Sequence, residues 1–224
     1  MNSWEKSDSD CHLSCEGCEH QGKKCHTHVL DGGKCFHLGE NDMDLMQRLY
    51  KGGTEHRKFM RQIFVSMDIT APLYWWKEFD TYKVGTTANS CSTMHKIHSK
   101  EFTLDDFSHE HLYWAGNGGV DSIVECADNH WLTATGVMEL VISTLNLFCE
   151  RYLKTKNKDD WWQMIQLLPT SYNQKRTVTM TYENAAAMIK QRSGHKLDEW
   201  REFVEILKRL PYIAQIIGGC TAES

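Results

Sequence analysis

The stretch Ile63-Phe64-Val65-Ser66-Met67-Asp68-Ile69-Thr70-Ala71-Pro72-Leu73-Tyr74-Trp75-Trp76 changes period part-way along. Ile63, Val65, Met67 and Ile69 alternate with Phe64, Ser66, Asp68 and Thr70, the period-2 pattern of a strand with one buried face. Pro72 suits the first turn of a helix, where its missing N–H is no loss. Leu73, Tyr74, Trp75, Trp76 and Phe79 then supply that helix with an aromatic surface. A strand therefore runs straight into a helix here.

Working outward, Asp42 is expected to cap a helix from Met43 to Tyr50, stopped by Gly52-Gly53. Thr54 is a second cap, for a short helix through Glu55 and His56. Residues 80–100 are rich in Thr, Ser, Gly and Asn and read as an irregular loop. Thr103 with Asp106 three positions on predicts a helix over 103–115. Gly116-Asn117-Gly118-Gly119 lacks the strand–helix context of a phosphate loop and reads as a turn. The clearest helix is expected from about Asn129 to Tyr152, with Trp131, Thr135, Met138, Val141, Ile142, Leu145, Phe148 and Tyr152 as its buried stripe. A short helix Asp159–Leu168 ends at Pro169, a strand covers Thr177–Thr181, and a helix covers Glu183–Gln191. A last amphipathic helix uses Leu197, Trp200, Phe203, Val204, Leu207 and Leu210. The expected class is α+β, helix-rich with a small sheet.

Composition bounds the function classes. The chain has 224 residues, 41% apolar and 25% charged, which fits a folded globular protein and excludes a disordered one. No apolar run reaches the roughly 18–20 residues of a membrane span, and the start does not resemble a signal peptide, so the expected location is cytoplasmic. A net charge of −5 argues against general nucleic-acid binding. The anomaly lies in residues 1–40. Cys11, Cys15, Cys18, Cys25 and Cys35 are interleaved with His12, His20, His26, His28 and His37 among few aliphatic residues. Such a segment builds no apolar core, and thiolate ligation can organise it instead. Cys15 and Cys18 are the firmest pair of metal ligands, with Cys25 and either Cys11 or a histidine completing the set, for zinc first and an iron–sulfur cluster as the alternative.

Glu55-His56, the strand through Ile69, Ala71-Pro72 and the loop Thr81–His95 follow one another in the order seen in flavin-dependent thymidylate synthases. Further on, Leu168-Pro169, Arg176, the strand Thr177–Thr181, the helix ending at Arg192 and the Trp200 helix continue the pattern. Over roughly residues 43–212 the chain resembles that family, more by element order and spacing than by identity. The resemblance implies a helix-rich α+β fold, a homotetramer with sites between subunits, FAD as cofactor and a pyrimidine nucleotide as substrate. It implies flavin contacts at His56, Lys83, Thr86 and Asn89, a catalytic Ser92 beside the pyrimidine, and substrate contacts at His95 and Arg176.

The signature loop itself departs from the family. Its left half aligns as Thr81-Tyr82-Lys83-Val84-Gly85-Thr86 and its right half as Asn89-Ser90-Cys91-Ser92-Thr93-Met94-His95. Only Lys83 keeps a charge, and a lysine does not reproduce a bidentate guanidinium contact. Met94 stands where the family places an arginine on the nucleotide phosphate, and Glu183 stands nine residues before Arg192, where it places another. Two charged hydrogen bonds to phosphate, each worth about 1.5–3 kcal/mol, are thereby missing.

Two functions follow. One is an FAD-dependent one-carbon transfer or reduction at a pyrimidine nucleotide; the other is a nucleotide- or protein-binding module that kept the fold without catalysis. The expected organisation is a Cys/His-rich segment 1–40, a synthase-like domain 41–217 and a tail 218–224. Trp75-Trp76 and Trp161-Trp162 read as core or interface residues. His109 and His111, two apart, face different ways on a helix and read as surface.

Overall fold

The structure, a computed structural model, describes residues 6–12, 28–30, 34–90, 96–114, 123–126 and 130–218. Its elements in chain order are β1 (Asp10–His12), β2 (His28–Leu30), β3 (Lys34–His37), α1 (Glu40–Lys51), β4 (Phe64–Pro72), α2 (Leu73–Phe79) and β5 (Thr86–Ser90). There follow β6 (Ile123–Cys126), β7 (His130–Thr133), α3 (Ala134–Thr155), α4 (Lys158–Leu167), β8 (Asn173–Thr181), α5 (Tyr182–Arg192), α6 (Asp198–Lys208) and α7 (Ile213–Ile216). Two 3-10 turns, Lys58–Arg61 and Leu104–Asp106, lie among them. The fold class is α+β with helices predominating, as the sequence predicts. Among the described residues three small sheets form, in the orders β1-β3-β2, β4-β8-β5 and β6-β7. Two compact units result, one of residues 1–65 with 180–224 and one of residues 66–179.

In the first unit, β3 is the centre of a small antiparallel sheet, with Cys11 of β1 opposite Phe36 and Val29 of β2 opposite Cys35. The cap of α1 differs from expectation. Asp42 lies inside the first turn, and Asp8 caps from outside by accepting Asn41 N at 2.8 Å and Asp42 N at 3.0 Å. Those two amides, Asn41 foremost, hold the Asp8 carboxyl below the usual carboxylate range. Gly52 closes the helix, as predicted. The core of this unit is the facing surface of α5 and α6. Ala185, Met188, Trp200, Val204 and Leu207 are almost wholly buried, and Met60 of the first 3-10 turn joins them at 0% exposure. The i, i+3, i+4 spacing of Trp200, Phe203, Val204 and Leu207 gives α6 its single apolar face.

The second unit is organised by the strand–helix joint. β4 alternates exposed and half-buried residues up to Ala71 and Pro72, which are buried. Pro72 ends the strand and serves as N-cap of α2 rather than its first residue. Trp75, Trp76 and Phe79 are buried against one another, with Trp75 and Trp76 edge to face at 4.9 Å between centroids. β8 runs antiparallel beside β4, with the pairs Ser66–Thr179 and Asp68–Thr177 bonded across the strands at 2.8 and 2.6 Å. A separate apolar cluster joins Ile97, Phe102, Phe107, Leu145, Cys149 and Met164, and Met138, Val141, Ile142, Phe148, Tyr152 and Trp161 pack against it.

Three expectations are corrected here. Residues 80–100 contain a strand, β5, at one edge of the sheet. The Thr103–Asp106 capping box forms, but a single 3-10 turn follows instead of a helix over 103–115. Phe107 adopts an extended conformation, pairs with Tyr172 and enters the core. The long helix begins at Ala134, after Thr133 accepts Gly136 N, because residues 130–133 pair with β6 instead. The turn expected at 116–119 lies outside the described residues, as does the expected tail 218–224 apart from Gly218.

Candidate functional site

The turn between α1 and β4 positions His56. Gly53 sits at φ +94°, a conformation open to glycine at little cost, and its carbonyl accepts His56 N at 3.0 Å. The His56 imidazole packs on Gly52, where a Cβ would stand 3.1 Å from Cδ2. The ring itself is exposed.

One turn on, two arginines converge on Glu183. Arg61 Nε donates to Glu183 Oε2 at 2.6 Å, and Arg57 Nε lies 3.5 Å from Glu183 Oε1. Glu183 opens α5, where the helix dipole also favours a negative charge. Thr54 supports both guanidinium groups, through its carbonyl to Arg61 Nη2 and its hydroxyl to Arg57 Nη2.

In the second unit, α2 stops at Asp80, and Gly85 at φ +77° turns the chain into β5. Lys83 is exposed and makes no ion pair among the described residues. Asn89 is exposed on β5, while Thr86 Oγ1 is shielded from solvent with no hydrogen-bond partner among the described residues. A shielded hydroxyl without a partner among the described residues, beside exposed polar side chains, is free to bond a polar group of a ligand. Ser92 and His95 lie outside the described residues, as do Cys91 and Met94.

Arg176 leaves β8 and lies over the Trp76 ring, 4.3 Å from its centroid. Its Nη1 donates to Asp80 Oδ1 and its Nε to Gln174 Oε1, each at 2.8 Å. Trp76 is fixed in turn by its indole N–H on Gln174 O. Next to Arg176, Lys175 pairs with Asp68 at 2.8 Å. That bond, then the one from Thr177, holds the Asp68 carboxyl below the usual carboxylate range. A cavity of about 320 Å³ opens between the beginning of β8 and the segment after the signature loop, lined by Thr70, Lys96, Lys100, Tyr172, Asn173 and Lys175 among others. Burial pushes the Asp106 carboxyl at its edge up, but bonds from Lys100 and Thr103 outweigh this and leave it lowered.

The predicted flavin and substrate residues thus divide, His56 in the first unit and Lys83, Thr86, Asn89 and Arg176 in the second. Arg57 and Arg61 are absent from the sequence reading; the charge reversal at Glu183 was the one signal for them. Of the predicted metal ligands, Cys11 lies in β1, and Cys15, Cys18 and Cys25 lie outside the described residues. Among the described residues no group of three His, Cys, Asp or Glu side chains converges, which applies to His109 and His111 as well. No helix among the described residues is long and apolar enough to cross a membrane.

The strand–Pro–helix joint, the edge strand carrying Thr86 and Asn89, and β8 leading into α5 define a fold of the flavin-dependent thymidylate synthase type. Solved structures of thymidylate synthase X (ThyX) from Helicobacter pylori with FAD and dUMP share it. One superposes with a TM-score of 0.52 at 15% identity, over 80% of this chain and 82% of the other. A second gives 0.52 and 15% over 84% of each chain. No protein-family model and no curated protein sequence matches the chain.

Proposed function

We propose that the chain is a divergent flavoprotein of this fold, carrying out FAD-dependent one-carbon transfer or reduction at a pyrimidine nucleotide. The observation that carries the reading is the edge strand β5, where a shielded, unpartnered Thr86 hydroxyl and an exposed Asn89 follow Lys83, in a chain that shares its fold with FAD-bound thymidylate synthase X. His56, Lys83, Thr86 and Asn89 would hold FAD, which supplies redox chemistry when bound. Ser92 and His95 would face the pyrimidine, with Ser92 catalytic. Arg176 would contact substrate only by sharing its guanidinium with Asp80. A homotetramer is part of the proposal by resemblance; Val137, Leu140 and Leu147, 40, 57 and 52% exposed along α3, are available for a subunit contact.

A second reading, a nucleotide- or protein-binding module without catalysis, is favoured by one observation. Glu183 places a carboxylate where the sequence resemblance implies an arginine, and Arg57 and Arg61 pair with it. Mass spectrometry of small molecules released from the purified chain separates the two readings. FAD with a pyrimidine nucleotide supports the first, and a nucleotide without flavin supports the second. Absence of flavin together with failure to take up added FAD rejects the first. For the amino-terminal segment, zinc on Cys11, Cys15, Cys18 and Cys25, with an iron–sulfur cluster as alternative, predicts metal that native mass spectrometry detects and Cys15→Ser removes.

A further inference from the structure

Two guanidinium groups point at a single carboxylate. Arg61 makes a short bond to Glu183 Oε2, whereas Arg57 Nε reaches only 3.5 Å from Oε1. That Arg57 nitrogen is shielded from solvent and has no hydrogen-bond partner among the described residues. Both arginines are braced from behind, Arg57 over the Tyr50 ring at 5.2 Å and on the Thr54 hydroxyl, Arg61 on the Thr54 carbonyl at 2.6 Å. Bracing of this kind keeps a charged fork in place whether or not its anion is present. The occupant is undersized, since a carboxylate brings one charge and two oxygens to a seat of two positive charges. A phosphate monoester brings nearly two charges and three acceptor oxygens, which satisfies both arginines. Glu183 sits in the first turn of α5, where the helix dipole also favours an anion.

We propose that Arg57 and Arg61 form a binding seat for a phosphate group, which Glu183 fills in the free chain and leaves when phosphate enters. The seat involves no flavin, so it stands or falls apart from the cofactor reading; only the nucleotide as source of the phosphate rests on the proposed function.

The test is calorimetric titration of the full chain, without FAD, by inorganic phosphate, dUMP and deoxyuridine at low ionic strength. Glu183→Gln is expected to bind inorganic phosphate at least tenfold more tightly than the parent, and adding Arg61→Ala is expected to abolish the gain. Tighter binding of dUMP than of phosphate, with none of deoxyuridine, identifies a nucleotide as the ligand; equal binding of dUMP and phosphate identifies the free anion. Both results support the seat. Phosphate affinity unchanged by Glu183→Gln, or a gain that survives Arg61→Ala, overturns it. Phenylglyoxal modification of the unaltered chain, mapped by peptide mass, gives a readout independent of variant folding. Phosphate should protect Arg57 and Arg61, and equal modification with and without phosphate overturns the proposal.

Discussion

The guanidinium of Arg176 lies 4.3 Å from the centroid of the Trp76 ring, and Asp80 closes the arrangement from the end of α2. Two non-adjacent segments, β8 and α2, are thereby fastened by one side chain that is only 16% exposed. Such a cation–π contact with a partly shielded ion pair is worth about 1–2 kcal/mol. Arg176→Ala should lower unfolding stability by about that amount in urea titrations without any ligand. Arg176→Lys should recover less than half, because an ammonium cannot stack flat and bond sideways together.

Charge placement around Glu183 gives a second prediction. Glu183→Arg places three arginines together and should destabilise the chain by about 1–3 kcal/mol. Combining it with Arg61→Glu reverses the pair and should restore most of the loss. A double-mutant cycle in urea measures the coupling, and additivity of the two single effects would show that the pair does not interact.

Leu145 is fully buried at the centre of the second unit's core, whereas Leu140 on the same helix is 57% exposed. Leu145→Ala should cost about 2–5 kcal/mol through lost burial and a residual cavity. Leu140→Ala should stay within about 0.5 kcal/mol in the monomer. A larger effect of Leu140→Ala that grows with protein concentration would place Leu140 in a subunit interface.

Burial pushes the Tyr182 phenol up to about 12, and its hydroxyl donates to Pro211 O at 2.9 Å. The unfolded chain releases this proton near pH 10, so rising pH favours unfolding until the folded phenol also ionises. Stability is unaffected by this group below pH 10 and should fall by about 2–3 kcal/mol between pH 10 and pH 12. Tyr182→Phe should flatten the alkaline slope while losing about 1 kcal/mol at neutral pH for the unmet Pro211 carbonyl. Thermal melts of both chains across that range check the sign.

The joint from β4 to α2 was legible because its period changes at a proline, and α6 because its apolar residues share one face. β5 was not: Thr86-Thr87-Ala88-Asn89-Ser90 is an exposed edge strand, and without a buried face it has no apolar alternation to read. The capping box at Thr103 and Asp106 was legible, yet helix propagation beyond it lost to burial of Phe107 against Tyr172 and Phe102. Long-range pairing set the remaining limit. His56 and Glu183 could each be singled out by resemblance, but the Arg61–Glu183 pair joins residues 122 apart in sequence. Local pattern carries no information on such a pairing.

The central claim is that this fold still holds a flavin along β5, and equilibrium titration of the purified chain with FAD tests it most directly. The account predicts saturable quenching of flavin fluorescence at one FAD per chain. Thr86→Val and Asn89→Ala should each weaken binding by about tenfold, the equivalent of one lost hydrogen bond of about 1.4 kcal/mol. Unsaturable behaviour in the parent chain, or FAD affinity indifferent to both substitutions, would contradict it.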